Sequence, residues 1–126
     1  MNWSAYIVLA EELAKFGIEP MDRSAVSRAY YGAFNVSRRW LEAHGTSIDD
    51  RGAHRQVWQA FRAAEGASDG TRQSWKVVGN LGASLRGLRN QADYADFVPG
   101  LGGGVTSAVG DAKRILTLLP GLELAD

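Results

Sequence analysis

Apolar residues recur along this chain at steps of three and four, with no sustained alternation and no long repeat. That periodicity predicts helices and no strands. Between Trp3 and Phe16 the residues Tyr6, Leu9, Ala10, Leu13 and Phe16 define one apolar helix face, stopped by Gly17. Ile18 to Met21 reads as a connector, with Pro20 barring a continuation. A second helix, capped by Asp22 or Ser24, runs to about His44, where Gly45 supplies the stop. Its Val26, Tyr30, Ala33, Phe34, Ser37 and Leu41 share one face. Arg28, Tyr31, Asn35, Arg38 and Glu42 form a neighbouring polar flank. Gly32 costs this helix about 1 kcal/mol of propensity relative to alanine. Its presence implies close approach by another backbone, or tolerance within a long packed helix.

Thr46 to Gly52 is a loop in which Asp49 or Asp50 can cap a third helix carrying His54, Val57, Trp58, Phe61 and Ala64. Glu65 to Gly70 is a turn region rich in small residues. A fourth helix is predicted from about Thr71 to Ala95, with Val77, Val78, Leu81, Leu85, Leu88 and Ala92 as its stripe. Its Gly79, Gly82 and Gly87 weaken it in isolation, so packing must hold it, and small residues there invite close approach. Val98 to Gly104, with one proline and four glycines, reads as too flexible for a helix. A last helix covers about Val105 to Leu119 and ends at Pro120-Gly121, leaving Leu122 to Asp126 as a frayed tail. The expectation is an all-α up-down bundle of four or five helices. It forms a single domain over residues 1–126, with its core at about 3–119 and a tail at 120–126.

Composition narrows the chemistry. Fourteen basic and fourteen acidic residues cancel, so no global field draws the chain to nucleic acid or anionic lipid, and any anion site must be local. Only Lys15, Lys76 and Lys113 are lysines; the other cations are arginines, which suit planar contacts with phosphate or carboxylate. The chain has no cysteine, which excludes disulfides, thiolate metal sites and cysteine nucleophiles. No stretch approaches the ~20 apolar residues of a membrane span. A soluble, cytoplasmic protein is expected. The histidines His44 and His54 belong to no spaced ligand set, so neither metal nor other cofactor is expected.

The densest chemistry lies in Leu85 to Phe97, LRGLRNQADYADF. Arg86, Arg89, Asn90 and Asp93 cluster roughly 120° around the helix from the apolar stripe, at the shoulder of the buried face. Arg89 and Asp93 stand four residues apart and can pair, as can Arg86 and Asn90. Two guanidiniums one turn apart also suit a phosphodiester. If the two long helices pack together, Arg28, Tyr31, Asn35 and Arg38 add a second shoulder. Arginine–aromatic surfaces of that kind suit single-stranded RNA.

Ser27-Arg28-Ala29-Tyr30-Tyr31-Gly32-Ala33-Phe34, a histidine opening the next helix (His54), and Leu88-Arg89-Asn90-Gln91-Ala92-Asp93-Tyr94 together resemble the HEPN domain family. The nearest likeness is to its small stand-alone prokaryotic branch, and it extends over roughly Trp3 to Leu119. The resemblance implies a four- or five-helix bundle that forms homodimers. It also implies a role as RNase or RNA-binding module in toxin–antitoxin or other defence systems, beside a small nucleotidyltransferase antitoxin. Active members carry an arginine, a polar residue, and a histidine four to six residues beyond the arginine, and cleave RNA without metal. On that pattern Arg89 matches the arginine and Asn90 the polar position, while Tyr94 occupies the histidine position. Tyrosine, with a reference pKa of about 10, is poorly suited to proton transfer at neutral pH. The resemblance therefore leaves Asp93 or His54 for that step.

Two hypotheses follow. In the first, Arg89 holds a phosphate of RNA, Arg28 and Arg86 add charge, Asn90 orients, Tyr31 and Tyr94 stack or donate hydrogen bonds, and Asp93 or His54 transfers protons. In the second, the chain is an inactive interaction or dimerisation module in which Arg89 and Asp93 form a structural ion pair. Nucleotide binding in the same groove is a third reading.

Overall fold

The computed structural model describes residues 1–126 as five helices: α1 Ser4–Ala14, α2 Glu19–Ala43, α3 Ala53–Ala63, α4 Arg72–Tyr94 and α5 Leu101–Leu118. A single 3₁₀ turn, Leu119–Gly121, follows α5. The chain is a helical bundle around one continuous apolar core. The predicted face of α2 is buried at every position, from Val26 to Leu41. α2 and α4 run antiparallel through the centre: Arg23 reaches Ala92 and Ala95, Tyr31 meets Arg89, and Trp40 packs edge-on against Trp75.

Glycine sets how closely the helices approach. A Cβ at Gly32 would lie 2.9 Å from Ile7 Cγ1 and 3.0 Å from the Trp3 carbonyl, so α1 lies directly on α2 there. On α4, a Cβ at Gly79 would strike the Arg62 stem and lie 2.9 Å from the Trp58 carbonyl, while one at Gly82 would enter the Trp58 indole. Gly79 and Gly82 are thus the face on which α3 rests.

Several local expectations need correction. α2 begins at Glu19, with Ile18 as its N-cap residue and Pro20 inside the first turn, so Ile18–Met21 is not a connector and neither Asp22 nor Ser24 caps. A first-turn proline lacks only an N–H that has no intrahelical partner anyway. α1 buries Ile7 and Ala10, whereas Leu9 and Phe16 of the predicted face are exposed. Gly52, with φ +75°, precedes α3 and neither Asp49 nor Asp50 caps it; Asp50 instead meets Arg38 at 2.8 Å. Gly102, Gly103 and Gly104 lie inside α5, which starts four residues earlier than Val105, after Gly100 turns the chain at φ +66°. The tail is held: Leu122 is buried, Ser68 N donates to the Glu123 carbonyl at 3.0 Å, and Ala125 N donates to the Gly66 carbonyl at 3.0 Å.

Gly82→Ala should lower stability by about 1–3 kcal/mol, because a rigid indole occupies the space and overpacking outweighs the gain in helix propensity. Gly87, beside which a Cβ meets nothing within 4 Å, should behave oppositely, with Gly87→Ala raising stability by about 0.5–1 kcal/mol. Urea denaturation of the two variants beside wild type measures both.

Candidate functional site

The site is built where α2, α3 and α4 meet. Tyr30 is fully buried on α2, so its hydroxyl must find partners. Trp58 Nε1 donates to it at 3.1 Å, and it lies 2.7 Å from His54 Nδ1. With the indole N–H already directed at the phenol oxygen, the Tyr30 proton is left to donate to His54 Nδ1. That assignment makes Nδ1 the unprotonated nitrogen and puts the imidazole proton on Nε2. Burial is the largest influence on Tyr30 and pushes its phenol up to about 12, so it remains a donor at neutral pH. His54 also stacks on Phe34, with centroids 4.0 Å apart. Burial first, then Arg86, Arg89 and Arg38, pull its imidazole below the ordinary 6.5. All of these influences favour neutral His54.

Arg89 projects from α4 onto this aromatic group. Its guanidinium carbon is 4.9 Å from the Tyr31 ring centroid, 5.6 Å from Tyr94 and 5.9 Å from Tyr30. Nε faces Asp93 Oδ2 at 2.9 Å, Nη1 donates to Asn90 Oδ1 at 3.0 Å, and Nη2 donates to the Tyr31 hydroxyl. The Arg89 side chain is only 14% exposed and that of Asp93 26%, so this is no solvated surface pair. The second hydrogens of Nη1 and Nη2 remain as donors for a ligand. Tyr94 is 74% exposed and presents an aromatic face beside them.

The structure thus brings Arg89, Asp93, Asn90, Tyr31, Tyr94 and His54 to one region. It separates Arg28, whose exposed guanidinium lies 5.8 Å from the Tyr6 ring on α1. Arg38 is engaged by Asp50 at 2.8 Å and Glu42 at 3.6 Å. Arg86 does not bond Asn90; it lines a cleft against α3 with Arg55 and Arg62. His44 accepts no part here: its Nδ1 lies 2.6 Å from the Trp40 carbonyl and its ring stacks on Trp40.

Two contributors lay outside the sequence reading. Trp58 enters the sequence pattern only as one of the apolar residues that mark the third helix, yet it orients Tyr30; its position four residues after His54 is the available signal. Arg23 closes the end of α4, its Nη1 donating to the Ala92 carbonyl at 3.0 Å and the Ala95 carbonyl at 2.5 Å, and its Nη2 to the Asp96 carbonyl at 3.1 Å. A cation suits a helix C-terminus, and this one steadies the turn that carries Asp93 and Tyr94. No group of three or more potential ligand side chains is arranged to hold a metal.

The depressed His54 makes stability pH-dependent. The unfolded chain takes up the proton as pH falls below about 6.5, while the folded chain still resists it. The stability due to neutral His54 is therefore full above that value and is lost as pH falls through the folded-state pKa. Urea midpoints measured from pH 7.5 downward should decline through this range, and His54→Gln should flatten that part of the decline. A histidine NMR titration should find His54 protonating below the ordinary value.

No protein-family model, curated protein or solved structure matches this chain.

Proposed function

We propose that this protein is a HEPN-type module that binds single-stranded RNA at the Arg89 region. The observation that carries the reading is the sheltered Arg89 guanidinium set among three tyrosine rings, with donors left for a phosphate and Tyr94 open for a base. Stacking on aromatic rings and guanidinium pairing with phosphate together recognise an unpaired strand without reading its sequence. The helical order and the Arg89-Asn90 and Tyr30-Tyr31 segments support the family reading. On that reading the working unit is a homodimer, in a toxin–antitoxin or defence setting beside a nucleotidyltransferase antitoxin.

The same geometry favours binding over cleavage. In the tautomer that the Tyr30 and Trp58 hydrogen bonds assign, the His54 Nδ1 lone pair is taken by Tyr30 and Nε2 carries the proton. A general base needs a free lone pair within reach of the nucleophile. The Asp93 carboxylate is engaged by Arg89 at 2.9 Å. Tyr94 stands where active relatives of the resembling family carry histidine. The second reading, an inactive interaction module, draws on the fact that Asn90 and Tyr31 each already take a hydrogen bond from the Arg89 guanidinium while Asp93 balances its charge at 2.9 Å.

The test is fluorescence anisotropy with a labelled single-stranded RNA of about a dozen nucleotides. Arg89→Ala is expected to weaken binding at least tenfold, and removing the Tyr94 ring severalfold, consistent with about 1–3 kcal/mol per stacked base. Equal affinity of wild type and Arg89→Ala would leave the interaction-module reading in possession of the site. Incubation with total RNA, with and without divalent metal, should leave the RNA intact. Cleavage by wild type that disappears in His54→Ala would instead establish a nuclease.

A further inference from the structure

We propose that the seam between α3 and α4 is a second anion site, in which Arg55, Arg62 and Arg86 hold a phosphate-bearing ligand. The three arginines line a cleft of about 280 Å³ together with Trp58, Gln59 and Ala83. This lies just below the ~300–1,000 Å³ of ordinary small-molecule pockets, a size suited to one or two phosphate groups. No carboxylate lines the cleft. Arg23, Arg38, Arg72 and Arg89 each pair with an acidic side chain; Arg55, Arg62 and Arg86, like the exposed Arg28, Arg51 and Arg114 elsewhere, have neither an ion pair nor a hydrogen bond, and these three are gathered in one cleft. Three like charges gathered without a counter-charge in a chain of zero net charge repel one another. An anion between them removes that repulsion, and guanidinium forks match phosphate oxygens two at a time.

The cleft is also built. Arg55, Trp58, Gln59 and Arg62 follow helical steps on α3, and Gly79, Gly82, Ala83 and Arg86 follow the same steps on α4. The bare backbone at Gly79 lets the Arg62 stem lie flat against α4, and Gly82 seats the Trp58 indole. Packing therefore fixes the floor and one wall before any ligand arrives, which lowers the ordering cost of binding. The Gln59 amide adds a neutral donor at the rim. This site depends neither on the Arg89 region nor on a second copy of the chain. Its ligand is either the phosphodiester of a strand or the terminal phosphates of a free nucleotide.

The experiment is an NMR titration of ¹⁵N-labelled protein at constant ionic strength, following the arginine Nε–Hε signals. One arm adds sodium pyrophosphate and another adds a single-stranded RNA without terminal phosphates. Saturable shifts at Arg55, Arg62 and Arg86 are expected, weakened at least tenfold in an Arg55→Gln, Arg62→Gln double variant. Both of those side chains are exposed, so the variant should keep its fold and its helical circular dichroism. Saturation by pyrophosphate alone assigns the site to free nucleotide phosphates; saturation by the oligomer assigns it to a strand. Linear shifts with both ligands, or a double variant that binds like wild type, overturn the proposal. So does loss of pyrophosphate binding in Arg89→Ala, because that would put the anion at Arg89.

Discussion

A phenol oxygen buried in an apolar core has to be satisfied, and much of this bundle follows from how Tyr30 is satisfied. An unpaired hydroxyl in that position would cost on the order of 1–3 kcal/mol. Trp58 and His54 supply the two partners, and they stand four residues apart on α3, one helical turn. That pair of hydrogen bonds fixes the register of α3 on α2. Gly82 then receives the Trp58 indole, which carries the register over to α4. The Tyr30 ring also lies against Phe34 and below the Arg89 guanidinium. One buried oxygen thus ties the tautomer of a histidine, the stacking of three helices and the setting of the central arginine.

The electrostatics follow from the same meeting of helices. A chain with no net charge has gathered Arg86, Arg89 and Arg38 close enough to act on His54. Around Arg89 the positive charge is balanced locally by Asp93. In the α3–α4 seam it is unbalanced. Overall charge carries no trace of this difference, because field strength at a site depends on the charges within about a Debye length and on their burial. Arg86 belongs to both surroundings, acting on Tyr30 and His54 from the seam.

The long helices were legible in the sequence because their stripes are long and one-sided. Val26 to Leu41 could face only one way. α1 is short and carries apolar residues on nearly every side, so the pattern named Leu9 and Phe16, which are exposed, beside Ala10, which is buried, and left out Ile7. What decides between those faces is the flat surface at Gly32 on another helix, which no local window contains. Pro20 and the glycines of 102–104 were read as breakers. A proline is tolerated in a first turn, and α5 is held by packing against its neighbours rather than by propensity. The tail was expected to fray; its partners, Gly66 and Ser68, are more than 50 residues away in sequence.

At the site, local spacing was enough for Arg89 and Asp93, since an i,i+4 pair is written in one helix. Tyr31 joined them once the two long helices were taken to pack together. Arg28 did not, because on α2 it sits one turn before Tyr31 yet turns towards Tyr6 of α1. Arg55 and Arg62 carry no signal by themselves, because two arginines seven residues apart on a short helix are an ordinary exposed edge. Their meaning lies in the match between an arginine–tryptophan–arginine edge on α3 and a glycine–glycine–arginine edge on α4. Those edges are antiparallel, and Trp58 belongs to both contacts, donating to Tyr30 and filling the space at Gly82. The side chain that satisfies the core phenol therefore also lines the cleft along which Arg55, Arg62 and Arg86 lie.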